Sequence, residues 1–450
     1  MSMKEYKARN GKIYLRFNNG PERCPICGKS DWCVLSEDQT VAYCMRTPIA
    51  GQEPTSFGYR HPLTDEAKHF NVVSEEIESL PEAPAHQLHA VYSLVIKAFG
   101  LTVKDYERMA AERGLTKQQM LLRGYTSSTQ AGKQGVSYET NEDGEIISIK
   151  TIWEDLFEAN GLARDAWKGV PGFYEKYGAP IFETKPGVLI PCRNGFGQIV
   201  GMQVRVHDKD RTISVEVMEG CEKYRVVCHK EEKGIAYTVY GRSGDINKAL
   251  RSGYCPEGEV VEIVDLGLVF KAKMGAKYIH LSSRNRVNGT KATPKVHFAF
   301  SDEILSQARF DKDGKGLTNL VELVDKKAVV ITEGLLKGDI IASYNKDRKA
   351  FYQMEPGLIL SVPGVSVWKK ATNVAVGCHF ESAFVAYDQD YVTNNYVKDY
   401  AKNMLLGLKK GKVEPYFMKW NVGKGLDDFI LSDNANKSVR FVNCKNIKGK

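Results

Sequence analysis

Four cysteines near the N-terminus constrain this chain more than any other feature. Cys24 and Cys27 stand in CPICGK, a C-x-x-C followed by glycine, the pattern that wraps two thiolates around one zinc ion. The segment DWCVLSEDQTVAYCMR indicates a hairpin with its turn near the Asp-Gln pair. Cys33 and Cys44 then stand opposite each other, about 5 Å apart at Cβ. The four thiolates therefore predict a structural zinc ribbon.

Two residues of this region leave alternatives open. His61, in GYRH, would replace Cys33 as the fourth ligand and give three thiolates and one imidazole. Trp32 is either a platform on which a nucleotide base stacks or part of the packing of the ribbon.

Length and charge bound the class of protein. The 450 residues suffice for two or three domains, and 63 basic against 55 acidic residues give a net charge of +8. This mild excess fits a nucleic-acid partner without demonstrating one. The apolar runs are far shorter than the roughly 20 residues of a membrane span, and the start has no signal-peptide core. We expect a cytoplasmic protein without a membrane partner, whose ten cysteines are reduced.

The pattern of apolar residues changes several times along the chain. Helical spacing begins at His89, the segment GVLIPCRNGFGQIVGMQVRV indicates a hairpin, and strands alternate with helices from Lys327, as in a parallel sheet covered by helices. We predict a ribbon, a linker, a mixed α+β part, a parallel α/β part and a basic tail, at 1–62, 63–88, 89–320, 321–435 and 436–450.

Carboxylates follow the apolar strands of the α/β part. KAVVITEG ends at Glu333, FVAYDQD ends at Asp388 and Asp390, and GKGLDDFI adds Asp427 and Asp428. The carboxyl ends of parallel strands meet at one edge of a sheet. Residues i and i+2 of a strand point to the same side, so Asp388 and Asp390 would grip one cation together. Several carboxylates at one edge need a divalent metal to balance their repulsion.

Four segments resemble those of a known family. ITEGLLKGDIIAS followed by VAYDQD resembles the Toprim domain of primases, topoisomerases and some nucleases. YERMAAERGLTKQQMLLRGYTS, GVLIPCRNGFGQIVGMQVR and AKYIHLSS resemble, in family order, segments of bacterial DnaG-type DNA primases. The ribbon stands in the family's position. The nearest resemblance is to the short zinc-ribbon and Toprim primases of phages, plasmids and integrative elements.

The resemblance implies a fold and an activity. The fold is α/β: a zinc ribbon, then a primase core with a mixed α+β basic subdomain and a parallel Toprim subdomain. The activity is synthesis of short RNA primers on single-stranded DNA from NTPs, with catalytic Mg²⁺ or Mn²⁺. A separate protein would supply the replicative helicase. A Toprim nuclease, or a catalytically silent factor that binds single-stranded DNA, are the alternatives.

The resemblance also implies roles for individual residues. Glu333 matches the Toprim glutamate, a general acid/base or metal ligand, and Asp388 and Asp390 match the metal-binding pair. Asp427 or Asp428 matches the later acidic motif. The basic residues expected to contact nucleic acid or NTP are Arg193, Arg205, Lys277, Lys295 and Lys337.

Two departures from the family stand out. Lys337 lies four residues after Glu333, where bacterial primases carry an aspartate. An insert at about 208–274 has no counterpart in the family and contains Cys221, Cys228 and His229. The spacing of these three residues does not suit a metal site, so we interpret them as core or surface residues.

Overall fold

The computed structural model describes most of the chain. The described residues are 4–7, 13–17, 22–30, 32–37, 39–47, 57–63, 79–128, 134–140, 146–220, 223–241, 248–344 and 356–448. Cys221 and most of the predicted linker lie outside these ranges, as does the side chain of Asp390.

The secondary structure comprises strands and helices in mixed order. The described strands, β1 to β25 in chain order, are Lys4–Lys7, Ile13–Arg16, Val34–Ser36, Val41–Cys44, Tyr59–Pro62, Thr126–Ser127, Ser137–Thr140, Ile146–Lys150, Phe173–Lys176, Ala179–Phe182, Gly187–Arg193, Ile199–Val206, Ile213–Glu219, Tyr224–Glu231, Gly234–Gly241, Ala249–Cys255, Val260–Ile263, Leu268–Met274, Tyr278–His280, His297–Ala299, Ala328–Glu333, Leu358–Val362, Ser382–Ala386, Glu414–Trp420 and Val439–Asn443. The described helices, α1 to α9, are Ala85–Phe99, Val103–Arg113, Lys117–Arg123, Trp153–Ala159, Asp302–Leu305, Leu335–Ser343, Trp368–Gly377, Asn395–Lys410 and Leu426–Leu431.

The N-terminal ribbon is an antiparallel sheet in the order β1-β2-β3-β4-β5. Leu15, Leu35 and Ala42 are buried in a small core with the cysteines. A core of this size is too small to hold a fold by itself, so a bound metal is the expected source of its stability.

Three short helices follow, and local signals set their ends. The Thr102 side chain accepts a hydrogen bond from the Asp105 amide at the start of α2, and Thr116 and Gln119 form a capping box at the start of α3. Gly114 ends α2 in the left-handed conformation that favours glycine. These helices cover the sheet β19-β12-β11-β6, in which β11 and β12 form the predicted hairpin.

The insert folds on its own apolar core. Its strands form two sheets of three strands each, in the orders β13-β18-β17 and β14-β15-β16. Val239, Leu268 and Phe270 are fully buried between them. Cys228 is half-buried against this core, whereas His229 is exposed and contacts Glu231.

The C-terminal part is built on a sheet of six strands in the order β20-β22-β21-β23-β24-β25. The four inner strands run parallel, and the two edge strands run antiparallel to their neighbours. The two edge strands of this sheet lie outside the predicted α/β part, 321–435. Strand β20 falls within the predicted mixed part, 89–320, and β25 falls within the predicted basic tail, 436–450. These strands are short and partly polar, so their pairing depends on the sheet rather than on a strong local pattern.

A buried polar network joins the two larger sheets. Asp339 of α6 accepts hydrogen bonds from Tyr125 (2.8 Å) and from His297 (3.1 Å), and Arg123 lies 3.6 Å from it. Burial alone would raise the pKa of Asp339, but His297 and Arg123 outweigh burial and lower it. The network fixes α6, which begins beside Glu333, against the four-stranded sheet.

The predicted α/β class with an N-terminal ribbon is confirmed. The remaining domain boundaries stay predictions. Within the described ranges, no helix is long and apolar enough to cross a membrane.

Candidate functional site

The four cysteines of the ribbon converge on one point. The Sγ atoms of Cys24, Cys27, Cys33 and Cys44 all lie within 4.8 Å of one another. The Sγ atom of Cys33 is 3.7 Å from that of Cys27 and 3.8 Å from that of Cys44. A zinc ion with four Zn–S bonds of about 2.3 Å at tetrahedral angles places its sulfur atoms about 3.8 Å apart. The four thiolates therefore fit zinc.

His61 has another partner. Its Nε2 donates to the carbonyl of Thr47 at 2.9 Å, and the Thr47 amide donates to the Cys44 sulfur at 3.3 Å. The imidazole thus supports the loop that follows a ligand instead of being part of the cluster. Of the two alternatives for the fourth ligand, the structure favours Cys33.

Trp32, next to this ligand, faces solvent. Its side chain is 64% exposed, and its φ is +63°, a backbone conformation that residues other than glycine rarely adopt. An exposed indole in a strained backbone is unusual for a residue whose only role is packing.

The acidic edge lies at the carboxyl ends of β21 and β23. These strands are parallel neighbours, with Thr332 opposite Ala386. Glu333 ends β21, and Asp388 follows β23 by two residues, so both carboxylates lie at the same edge. Glu333 is half-buried, and the Asp388 side chain is only 12% exposed.

The expected geometry of the aspartate pair was wrong. Asp388 and Asp390 do not share a face of one strand, because β23 ends at Ala386 and Asp390 falls in the 3-10 helix Gln389–Val392. Beyond β23 the backbone no longer pairs with the sheet. The Gln389 amide instead donates a hydrogen bond to the carbonyl of Lys424 at 3.0 Å.

Asp427 and Asp428 begin α9 beside this edge. The Asp427 side chain is 2% exposed, and burial raises its pKa. Asp428 accepts a hydrogen bond from the Gly425 amide at 3.0 Å, which caps the helix, and its side chain is 43% exposed. Arg113, at the end of α2, lies 3.1 Å from Asp427 and 3.4 Å from Asp428.

Lys337 lies among these carboxylates. Its Nζ contacts Oδ1 of Asp388, and the Nζ of Lys424 lies 3.6 Å from Oδ2 of the same group. A Cβ at Gly425 would stand 3.3 Å from the Lys337 Nζ and would collide with Oδ1 of Asp427. The ammonium of Lys337 is therefore paired with Asp388 and lies on the side of that carboxylate that faces Gly425 and Asp427.

The donor set suits a divalent cation in part. Carboxylate oxygens are the ligands that Mg²⁺ and Mn²⁺ prefer. Oδ1 of Asp427 is buried and has no hydrogen-bond donor among the residues that the structure describes, as expected for an atom left to a metal. Both oxygens of Asp388, in contrast, are near protein cations.

Two of the predicted basic residues, the buried Arg193 and the partly exposed Lys295, bind other groups of the protein. The Arg193 guanidinium donates to the carbonyls of Gly197 and Arg123 at 2.6 and 2.9 Å, and burial lowers its pKa to about 10. Lys295 pairs with Glu82 at 2.8 Å. Both residues hold segments together in this structure, and a contact with nucleotide stays a prediction for each.

The other two lie beside a cavity. Arg205 is buried, pairs with Glu112 and lines a cavity of about 580 Å³ together with Arg108 and Lys209. Lys277 is 4.0 Å from Asp208, and burial, followed by the charge of Arg205, lowers its pKa. Arg205 pairs with Glu112, and the next residue, Arg113, contacts Asp427 of the acidic edge, so the cavity lies near that edge.

Comparison with known proteins found similarity at the level of solved structures. No protein-family model matches the chain, and no curated protein matches it by sequence. The zinc-binding and RNA polymerase domains of the Aquifex aeolicus primase match at 12% identity, over 95% of this chain and 76% of theirs, with a TM-score of 0.36.

Two further structures give similar values. The RNA polymerase domain of Mycobacterium tuberculosis primase DnaG, in complex with double-stranded DNA, matches at 10% identity over 79% of this chain and 82% of its own, with a TM-score of 0.41. The Escherichia coli primase catalytic core matches at 11% identity over 77% of this chain and 75% of its own, with a TM-score of 0.37.

Sequence reasoning missed two residues of the acidic edge. Arg113 stands in ERGL, inside a segment that resembles a primase motif, so its position in that motif was a usable signal. Lys424 precedes the Asp-Asp pair in GKGLDDFI and carried no comparable signal.

Proposed function

We propose that this chain is a DNA primase of the short zinc-ribbon type found in phages, plasmids and integrative elements. It would synthesise RNA primers on single-stranded DNA from NTPs, beside a separate replicative helicase. The observation that carries the proposal is the meeting of Glu333, Asp388 and Asp427 at one edge of a parallel sheet. The ordered primase-like segments and the four-thiolate ribbon support it.

The reaction would be nucleotidyl transfer. A ribose 3′-oxygen forms a bond to the α-phosphorus of an NTP, and the bond from that phosphorus to the bridging oxygen breaks to release pyrophosphate. Glu333 would take the hydroxyl proton. A Mg²⁺ or Mn²⁺ ion held by Asp427, Asp388 and Asp390 would act as a Lewis acid on the phosphate oxygens.

The protein's own cations would assist. Lys337, Lys424 and Arg113 lie at the acidic edge and would meet the negative charge of a triphosphate. Arg205 and Lys277 lie beside the neighbouring cavity and would meet template phosphates. The ribbon, with the exposed Trp32, would contact the template.

The test is primer synthesis on single-stranded DNA with labelled NTPs and Mg²⁺ or Mn²⁺. We expect short RNA products from the wild type and none from Asp388→Asn. Asp265→Asn, which changes an exposed carboxylate paired with Arg251 in the insert, is the matched control and should retain synthesis. Binding of single-stranded DNA should survive in all three proteins.

A second candidate is a catalytically silent factor that binds single-stranded DNA. The pairing of Asp388 with two lysines favours it, because those cations leave less negative charge for a metal. Wild-type protein that binds DNA but makes no product with either metal would support this candidate. Cleavage of DNA without nucleotides would instead indicate a Toprim nuclease.

A further inference from the structure

The charges at the acidic edge are balanced largely by the protein itself. Asp388 contacts Lys337 through one oxygen and lies 3.6 Å from Lys424 through the other. Arg113 lies close to both Asp427 and Asp428. Three cations from three different segments therefore stand against these three carboxylates. A site that depends only on divalent ions for its charge balance has no need of such an arrangement.

Lys337 differs from the other two cations in its position. The Lys424 side chain is 63% exposed and approaches from the rim, whereas Lys337 is 24% exposed. Lys337 projects from the first turn of α6, next to the Gly334 that separates this helix from Glu333. Its ammonium contacts Asp388 and lies 3.3 Å from the point where a Cβ at residue 425 would stand, a point that would also collide with Oδ1 of Asp427. A divalent ion bound by both Asp388 and Asp427 would therefore lie close to this ammonium.

One carboxylate oxygen at this edge remains without a donor. Oδ1 of Asp427 is buried and accepts no hydrogen bond from any described residue. An unsatisfied carboxylate oxygen in a buried position is costly, and a cation offsets the cost. Lys337 thus supplies a cation beside Asp388, while one carboxylate oxygen of Asp427 is left for another cation.

We infer that the Lys337 ammonium occupies one of two cation positions at the acidic edge, so that this edge binds one divalent ion fewer than its carboxylates would otherwise hold. Two divalent ions about 4 Å apart are the usual arrangement where carboxylates clamp a phosphoryl group. An ammonium in contact with Asp388 excludes a divalent ion from that oxygen, both by its volume and by repulsion between like charges.

This inference concerns the same edge as the proposed function and rests on it only for the identity of the metal. Its test uses Mn²⁺ without nucleotides or template. Absence of primer synthesis would therefore leave it standing, and an unexpected count of bound ions would leave the primase proposal standing.

The experiment counts Mn²⁺ ions bound to the full-length, zinc-loaded chain. Electron paramagnetic resonance of free Mn²⁺ gives the number bound and the dissociation constant for each. We expect Lys337→Met, and equally Lys337→Gln, to bind one more Mn²⁺ per chain than the wild type. We expect the ion already bound by the wild type to bind roughly tenfold more tightly, because a nearby positive charge is removed. Adding Asp388→Asn to Lys337→Met should abolish the extra ion.

Lys424→Met is the matched control. It removes one positive charge from the other oxygen of the same carboxylate but leaves the Lys337 ammonium in place. The number of bound ions should then equal that of the wild type. The inference is overturned if both Lys337 variants bind as many ions as the wild type, or if Lys424→Met gains an ion as well. Thermal unfolding of each variant verifies that the counts refer to folded protein.

Discussion

The guanidinium of Arg113 lies 3.1 Å from the carboxylate of Asp427, which is 314 residues further along the chain. Arg113 ends a helix of the mixed part, and Asp427 begins a helix beside the six-stranded sheet. The Tyr344 hydroxyl, which donates to the carbonyl of Gly114 at 2.5 Å, adds a second contact between the same regions. The acidic edge is therefore completed by a residue from another part of the chain.

The first prediction concerns this ion pair. Arg113→Met should lower the free energy of unfolding by about 2 kcal/mol, because it leaves the buried Asp427 carboxylate without its partner. Urea denaturation measures the change. Arg164→Met removes an arginine that is 53% exposed and pairs with Glu158, which is 50% exposed, so it should cost clearly less than Arg113→Met. In the double variant with Asp427→Asn, the cost should be smaller than the sum of the single costs. Additive costs would show that the pair contributes no coupling.

The second prediction concerns the fourth zinc ligand. Cys33→Ser should abolish stable zinc binding, because the Cys33 sulfur stands at tetrahedral spacing from two other thiolates. His61→Asn should retain one zinc per chain, because the imidazole contacts the Thr47 carbonyl instead. Zinc content after dialysis against a weak chelator distinguishes the two. Loss of zinc from His61→Asn alone would reverse the assignment.

The third prediction concerns Trp32 and template binding. Trp32→Gly should weaken binding of single-stranded DNA roughly tenfold, because a base loses its stacking partner. The same change relieves the positive φ of this residue, so the stability of the ribbon should not fall. Trp32→Phe retains a ring and should recover most of the affinity. Fluorescence anisotropy of labelled DNA measures binding, and unchanged affinity in Trp32→Gly would assign the indole no role in it.

The fourth prediction concerns pH and His89. Its Nδ1 accepts a hydrogen bond from the Ile199 amide at 3.1 Å, and burial lowers its pKa from 6.5 to about 4. Above the unfolded pKa both states are neutral, so the contribution to stability is complete. As the pH falls from about 6.5 towards 4, the imidazole takes up a proton in the unfolded state before it does so in the folded state. The free energy of unfolding therefore falls by about 3 kcal/mol.

The matched variant for this test is His89→Asn, whose amide oxygen still accepts the hydrogen bond but does not titrate. The difference in urea midpoint between the wild type and this variant should therefore be smaller at about pH 4.5 than at about pH 7. An equal difference at both values would show that His89 makes no contribution to the pH dependence.

The fifth prediction concerns the buried network under α6. Asp339→Asn should cost about 3–5 kcal/mol, because it removes the fully buried one of the two carboxylates that face Arg123, which is itself 1% exposed. Asp302→Asn is the control, since Asp302 pairs with the same arginine at 2.9 Å but is 34% exposed. It should cost roughly 1 kcal/mol or less. Similar costs for the two variants would contradict the role of burial.

Local sequence patterns predicted several parts of this protein. The spacing of four cysteines within a hairpin predicted a zinc ribbon, because ligands close in sequence are brought together by one turn. The Asn-Gly turn and the flanking apolar residues predicted the hairpin of β11 and β12, and alternating strands and helices predicted the parallel sheet. That sheet order placed Glu333 and Asp388 at one edge.

Only the tertiary structure decided which charges meet. The partners of Lys337 and Arg113 lie 51 and 314 residues away, and no local pattern encodes such pairs. Arg193 was expected to contact nucleic acid or NTP, and the packing of helices over its strand buries it. The division of the β-rich insert into two sheets and the strand at the C-terminal edge likewise depend on neighbours from distant sequence. The free energy of a charged or edge residue depends on what packs against it, and that is a property of the fold.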